Sequence, residues 1–167
     1  MNGTVARVLL LDDERITRKL RRMAWQIWEH NSDEAAVTLV GIASGGFEIA
    51  QQLAQHLKKI APLSIHVVKL EMDKKNPNQH PILLDADITD KSIVLIDDVA
   101  NSGKTLLYAL HPILLTEPEK VLIAVLVNRK HKAYPVTPDI VGQEVATTLQ
   151  EHIEVSFENG KIQAFLE

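Results

Sequence analysis

The sequence predicts an α/β protein whose mostly parallel central sheet is flanked by helices on both faces. Three observations carry this. Residues 37–42, 92–96 and 121–127 are almost continuously apolar, which suits strands buried on both sides rather than strands with one wet face. Helical patterns lie between such runs. Two strands end in unusual loops, 41–46 and 97–105, at the sheet edge where folds of this kind bind ligands.

The elements follow in order. Asp12 or Asp13 can cap a first helix, on which Ile16, Leu20, Met23 and Ile27 recur on one face. Arg15, Arg18, Lys19, Arg21 and Arg22 fall on the same helix and read as its solvated side. Trp25 and Trp28, three apart on it, suit core or dimer packing. A strand at 37–42 runs into Gly41-Ile42-Ala43-Ser44-Gly45-Gly46, and a second helix follows with Phe47, Ala50, Leu53, Ala54 and Leu57 inward. Residues 63–70 form another strand. The polar stretch 71–80 buries little apolar surface, so a surface loop or short hairpin is expected. Leu106, Leu107, Leu110, Ile113 and Leu114 mark a third helix between the strands at 92–96 and 121–127. Near the C-terminus, two strands flank Glu158-Asn159-Gly160, and Asn-Gly is a strong hairpin signal.

With 167 residues and no repeat or linker, one domain spanning 1–167 is expected. The formal net charge of −4 gives no global basic field to attract nucleic acid. No cysteine is present, which excludes disulfides and thiolate metal sites. The seven histidines lack zinc-type spacing. No apolar run approaches the roughly 18 residues of a membrane span, and the opening stretch does not read as a signal peptide. A cytoplasmic protein is expected.

Residues 93–105 read Ile-Val-Leu-Ile-Asp-Asp-Val-Ala-Asn-Ser-Gly-Lys-Thr. An apolar strand ends in two carboxylates, and a small-residue turn then opens a helix. Backbone N–H groups of the turn and helix start, with the Ser102 and Thr105 hydroxyls, suit a phosphate monoester. Asp97 and Asp98 would repel that phosphate at contact, so they make sense facing sugar hydroxyls or hydrated magnesium. Gly103-Lys104-Thr105 also matches the end of a P-loop. That motif needs a glycine where Asp98 stands, so the P-loop reading fails.

This segment resembles the signature of type I phosphoribosyltransferases. The resemblance implies the type I phosphoribosyltransferase fold with a C-terminal β-hairpin. It implies that Asp97 and Asp98 hold the ribose hydroxyls of phosphoribosyl pyrophosphate (PRPP). Ala100, Asn101, Ser102, Gly103, Lys104 and Thr105 would cradle its 5′-phosphate. The run 39–47 resembles the pyrophosphate loop of these enzymes, which places Ala43, Ser44, Gly45 and Gly46 against pyrophosphate. The segments 11–16 and 125–131, with Tyr134-Pro135 and residues 138–142, are similar to the bifunctional pyrimidine-operon attenuator and uracil phosphoribosyltransferase family.

The resemblance implies transfer of phosphoribose from PRPP to uracil, with Mg²⁺ held by substrate and by Asp97 and Asp98, and a homodimer or larger homo-oligomer. Residues 71–80 would be the lid. Purine-type members carry Asp where Asn101 stands, and Asn cannot act as a general base, which turns the choice toward uracil. Arg129, with Lys130 and Lys132, fits either a base pocket or a solvated turn. Ile140 and Val141 are expected to line that pocket. The family's pyrophosphate loop brings basic side chains, whereas Ala43 and Gly45 stand at those places. A nucleotide-sensing or RNA-binding regulator with weak or no catalysis is therefore the second reading, with the basic first helix as its motive.

Overall fold

The computed structural model describes residues 6–148 and 150–167. Residues 1–5, the start of the stretch weighed as a leader, lie outside the described residues. No helix among the described residues is long and apolar enough to cross a membrane.

Twelve elements follow one another. They are β1 (Val8–Leu11), α1 (Asp13–His30), β2 (Ala36–Ile42), α2 (Gly45–Ile60), β3 (Ser64–Glu71), β4 (Leu83–Leu84), β5 (Ser92–Ala100), α3 (Lys104–Leu114), β6 (Lys120–Arg129), β7 (Ile140–Val145), β8 (Ile153–Glu158) and β9 (Lys161–Leu166). Six strands form one sheet in the order β4-β3-β2-β5-β6-β7, with β4 alone antiparallel to its neighbour. A second sheet, β1-β9-β8, is antiparallel. The mixed α/β architecture, its parallel centre and the terminal hairpin agree with the sequence.

Strand alternation divides the core into two layers. On β5, Val94 and Ile96 join one apolar cluster, with α1 and α2. Ile93 and Leu95 join the other, with Leu106, Ala109 and Ile113 of α3. The central strands are thus apolar at nearly every position because both faces are covered. At α1 the carboxylate of Asp12 accepts from the Arg15 amide at 2.8 Å, a side-chain N-cap. Asn159 and Gly160 carry φ values of 53° and 71°, the two left-handed residues of a type I′ turn, which the twist of the paired strands favours.

Several expectations change in detail. Strand β5 does not end before the acids. It runs on to Ala100 because Val99 and Ala100 pair with Val127 and Asn128 of β6. The stretch 72–82 joins β3 to the two-residue β4, so it is the connection of a hairpin. Phe47 is only half-buried, and Ile49, which the helical reading omitted, is fully buried. Leu114 faces outward, 57% exposed, at the last turn of α3. Trp28 packs against the core, but Trp25 is 51% exposed and does not.

Leu39, fully buried at the centre of β2, tests the core. Leu39→Ala is expected to cost about 2–5 kcal/mol, by lost transfer energy and the cavity left behind. Trp25→Ala should stay within about 0.5 kcal/mol. Midpoints of urea unfolding measure both.

Candidate functional site

The carboxyl ends of β2 and β5 meet the starts of α2 and α3, and the candidate site forms there. A Cβ on Gly46 would lie 2.5 Å from the Ile96 carbonyl oxygen and 2.9 Å from Asp97 Cα. One on Gly45 would lie 2.2 Å from Asp98 Oδ2. Two glycines therefore let the first turn of α2 touch the acid-bearing end of β5. The Ser44 side chain makes no cap there, and the positive end of α2 lies against Asp98 through Gly45. The Ala43–Ser44 peptide is cis.

Asp97 is 1% exposed. Its Oδ1 accepts from the Asp98 amide at 2.9 Å and from Lys74 Nζ at 3.4 Å. Burial, then the charge of Asp98, pushes its carboxyl well above the usual carboxylate range, against the pull of Lys74. Asp98 is half-buried, and its Oδ1 accepts from the Val99 amide at 2.8 Å.

The loop after β5 turns sharply into α3. Gly103 has φ 86°, and a Cβ there would lie 2.6 Å from Val136 Cγ1, so glycine is required on both counts. As N-cap of α3 it offers no side chain, and the first turn of α3 holds no acid. The Lys104 amide donates to Ser102 Oγ at 3.3 Å, and the other amides of that turn have no intrahelical acceptor and suit an anion. The loop is pinned from behind, where the Ser102 carbonyl accepts from the amides of Ala133 and Tyr134 at 3.0 and 3.1 Å. Lys132 is half-buried and donates to Asn128 Oδ1 at 2.5 Å and to the Arg129 carbonyl. Desolvation lowers its pKa most, with Arg129 adding to the shift and Glu144 opposing it.

These elements enclose a cavity of about 350 Å³. Asp97, Asp98, Ala100, Asn101, Ser102, Gly103 and Thr105 all line it. Lys74 from the connection after β3 reaches in, and His152, Ile153, Glu154 and Val155 form the opposite wall. Nothing local in the sequence marks that wall. It follows only from how β8 folds back. Other expected residues fall outside the lining. Ala43, Ser44, Gly45 and Gly46 are not part of it, although Gly45 and Gly46 pack against the acids, and Lys104 faces a separate cleft with residues 75–79. Arg129 stands behind Asn101 and donates to its Oδ1 at 3.3 Å.

Ile140 and Val141 correct the expected pocket. They begin β7, level with Ala124 and Val125 and, through β6, with Ile96 and Asp97, yet neither lines the cavity. Ile140 is fully buried in the core and Val141 packs on the other apolar cluster. The carboxyl end of that strand is Val145, opposite Arg129.

The raised Asp97 pKa has a signed consequence. A folded state that holds this proton more tightly than the unfolded chain is favoured at low pH. The benefit fades as pH rises from the ordinary carboxylate range through the raised value. Asp97→Asn is therefore expected to raise Tm at pH 7 by about 2–4 °C, for roughly 1 kcal/mol. The gain should vanish near pH 4, and thermal melts across that range check it.

Comparison with known proteins agrees with this geometry. Residues 9–158 match the phosphoribosyl transferase domain. The chain is 36% identical over 159 residues to the bifunctional protein PyrR of Alkaliphilus metalliredigens, covering 89% of this chain and 87% of that one. It is 32% identical to the bifunctional protein PyrR of Latilactobacillus sakei over 161 residues, 89% and 90% of the two chains. A hypoxanthine-guanine phosphoribosyltransferase of Bacillus anthracis superposes with TM-score 0.74 at 20% identity, over 93% of this chain and 96% of that one. The hypoxanthine phosphoribosyltransferase of Trypanosoma cruzi gives 0.75 at 15% identity, over 94% and 95%. A shared fold, an acid pair beside an uncapped helix and sequence identity over most of the chain lead to one conclusion: the protein belongs to the phosphoribosyltransferase domain family.

Proposed function

We propose that the protein transfers the phosphoribosyl group of PRPP to uracil, releasing pyrophosphate and forming uridine monophosphate, as a cytoplasmic, homo-oligomeric enzyme of one domain spanning 1–167. The observation that carries this reading is the placement of Asp97 and Asp98 in one cavity with the uncapped start of α3. The loop Ala100, Asn101, Ser102, Gly103, Lys104 and Thr105 takes the 5′-phosphate on its amides and on the Thr105 hydroxyl. The two carboxylates accept from the ribose hydroxyls, which compensates the cost of keeping Asp97 ionised in a buried place.

Among the described residues no three acids or histidines converge into a metal cage. Two adjacent carboxylates fit a hydrated Mg²⁺ that arrives with PRPP and is held largely by substrate oxygens. Bound there, it neutralises the departing pyrophosphate. Pyrophosphate itself lies toward Ala43, Ser44, Gly45 and Gly46, where backbone and the positive end of α2 replace the absent basic side chains. Lys74 is the one lysine or arginine lining the cavity among the described residues. It rides on the 72–82 connection, which closes over the sugar and excludes water.

The bond from the anomeric carbon to pyrophosphate breaks as N1 of uracil bonds to that carbon, and the N1 proton leaves with the pyrophosphate, whose oxygens accept it. Positive charge develops on the ribose, and the neighbouring carboxylates support it. Asn101 stands where a base-catalytic acid would be needed for purines, and it has no basic lone pair to offer.

A second reading, an RNA-binding regulator that senses nucleotide, has its own observation. Arg15, Arg18, Lys19 and Arg22 line one surface cleft, and Lys19 has its pKa lowered by burial and then by Arg22, Arg15 and Arg18. Arg22 is partly committed, donating to the carbonyls of Val141 and Gly142 at 3.1 and 2.7 Å.

Incubation with PRPP, Mg²⁺ and uracil is expected to give uridine monophosphate. Absence of product with uracil, hypoxanthine, guanine and adenine alike would sink the transferase reading. Replacing both acids, Asp97→Asn with Asp98→Asn, should cut the rate by at least about 10²-fold, as loss of charge stabilisation does. On the regulator reading, RNA affinity should fall steeply with salt, by about 10²-fold between roughly 50 and 200 mM. Binding that ignores salt would count against it.

A further inference from the structure

Asn101 and Arg129 form a contact that the proposed chemistry does not use. The parallel register sets Ala100 of β5 beside Asn128 of β6, so the next residues, Asn101 and Arg129, meet where both strands end. Arg129 is gripped on three sides. Its Nε donates to Thr147 Oγ1 at 2.7 Å, one terminal nitrogen donates to the Thr148 carbonyl at 2.9 Å, and the other donates to Asn101 Oδ1 at 3.3 Å.

A guanidinium has donors only. The side-chain amide of Asn101 must therefore turn its oxygen to Arg129. Asn101 lines the cavity. Its Nδ2 finds no acceptor among the described residues, so two N–H groups remain to serve a ligand. The positive charge behind the oxygen polarises the amide and makes those N–H groups better donors. Arg129 makes no salt bridge with a carboxylate among the described residues, so its charge acts on the amide undiminished by an ion pair.

We infer that Arg129 is a positioning residue that fixes the Asn101 amide with its N–H groups toward the cavity, so that position 101 selects a base presenting a carbonyl oxygen. This rests on the reading of the cavity as a nucleotide site. It deepens that reading, because Asn101 becomes a donor that chooses the ligand rather than merely a residue unable to act as a base. A pyrimidine-2,4-dione offers acceptors beside its glycosidic nitrogen. A ring N–H directed at the same place would meet donor against donor.

The full chain is titrated calorimetrically with uridine monophosphate and with ribose 5-phosphate, which lacks only the base. Asn101→Leu keeps the side-chain shape and adds no charge. The backbone amide that residue 101 offers the 5′-phosphate is kept, so the loss of affinity is expected to be at least tenfold greater for uridine monophosphate than for ribose 5-phosphate. Arg129→Met should weaken uridine monophosphate in the native chain. In the Asn101→Leu background it should have almost no further effect, since a residue acting through Asn101 has nothing left to orient. Equal losses for both ligands, no loss for either, or additive effects of the two substitutions would overturn the inference while leaving the nucleotide site standing. If the unsubstituted protein binds neither ligand, the nucleotide reading fails and the inference is overturned with it.

Discussion

The close approach of α2 to the end of β5 is the constraint on which the site depends. It exists because Gly45 and Gly46 have no side chains, since a Cβ on either would strike Asp98 or the backbone at Ile96 and Asp97. Gly41 serves the same junction, as a Cβ there would lie 2.5 Å from Phe47 Cα. With the helix start this near, its unbonded amides offset part of the charge of two adjacent acids. Moving the helix away by one methyl group would leave the acids to repel each other in a poorly solvated place. The missing basic residue at position 45 thus has a steric counterpart. The space an arginine stem would take is filled by the Asp98 carboxylate itself.

Much of this was legible in the sequence because local chemistry decides it. Asp12 caps α1, and Asn159-Gly160 turns the last hairpin, each through a residue type suited to one backbone geometry. Apolar runs identified the central strands because both of their faces are covered. The acid pair and the small-residue loop marked the cavity for the same reason, since their spacing along the chain is also their spacing in space.

What stayed hidden depends on pairing. The extension of β5 to Ala100 is set by β6, and no residue inside the segment announces it. Ile140 and Val141 were placed in the pocket, and their register does bring them level with Ile96 and Asp97, but they pack into the two apolar clusters instead. The wall made by His152, Ile153, Glu154 and Val155 could not be read, because it comes from a strand in a different sheet. Trp25 suited core or dimer packing by type, and its position on α1 leaves it half exposed and outside the core. Residue type reports what an environment should be, whereas pairing decides where the residue is sent.

The small sheet β1-β9-β8 joins the first described strand to the last. Arg7 donates to Glu154 at 3.0 Å across 147 residues of chain, and the amide of Ile162 donates to Asp13 at 2.8 Å across 149. Contacts of such separation must wait for the closure of almost the longest loop the chain can make. The parallel sheet and its acid pair draw on much nearer partners. The wall of the cavity, through Glu154, thus leans on a contact that spans nearly the whole described chain, whereas its floor rests on strands close in sequence.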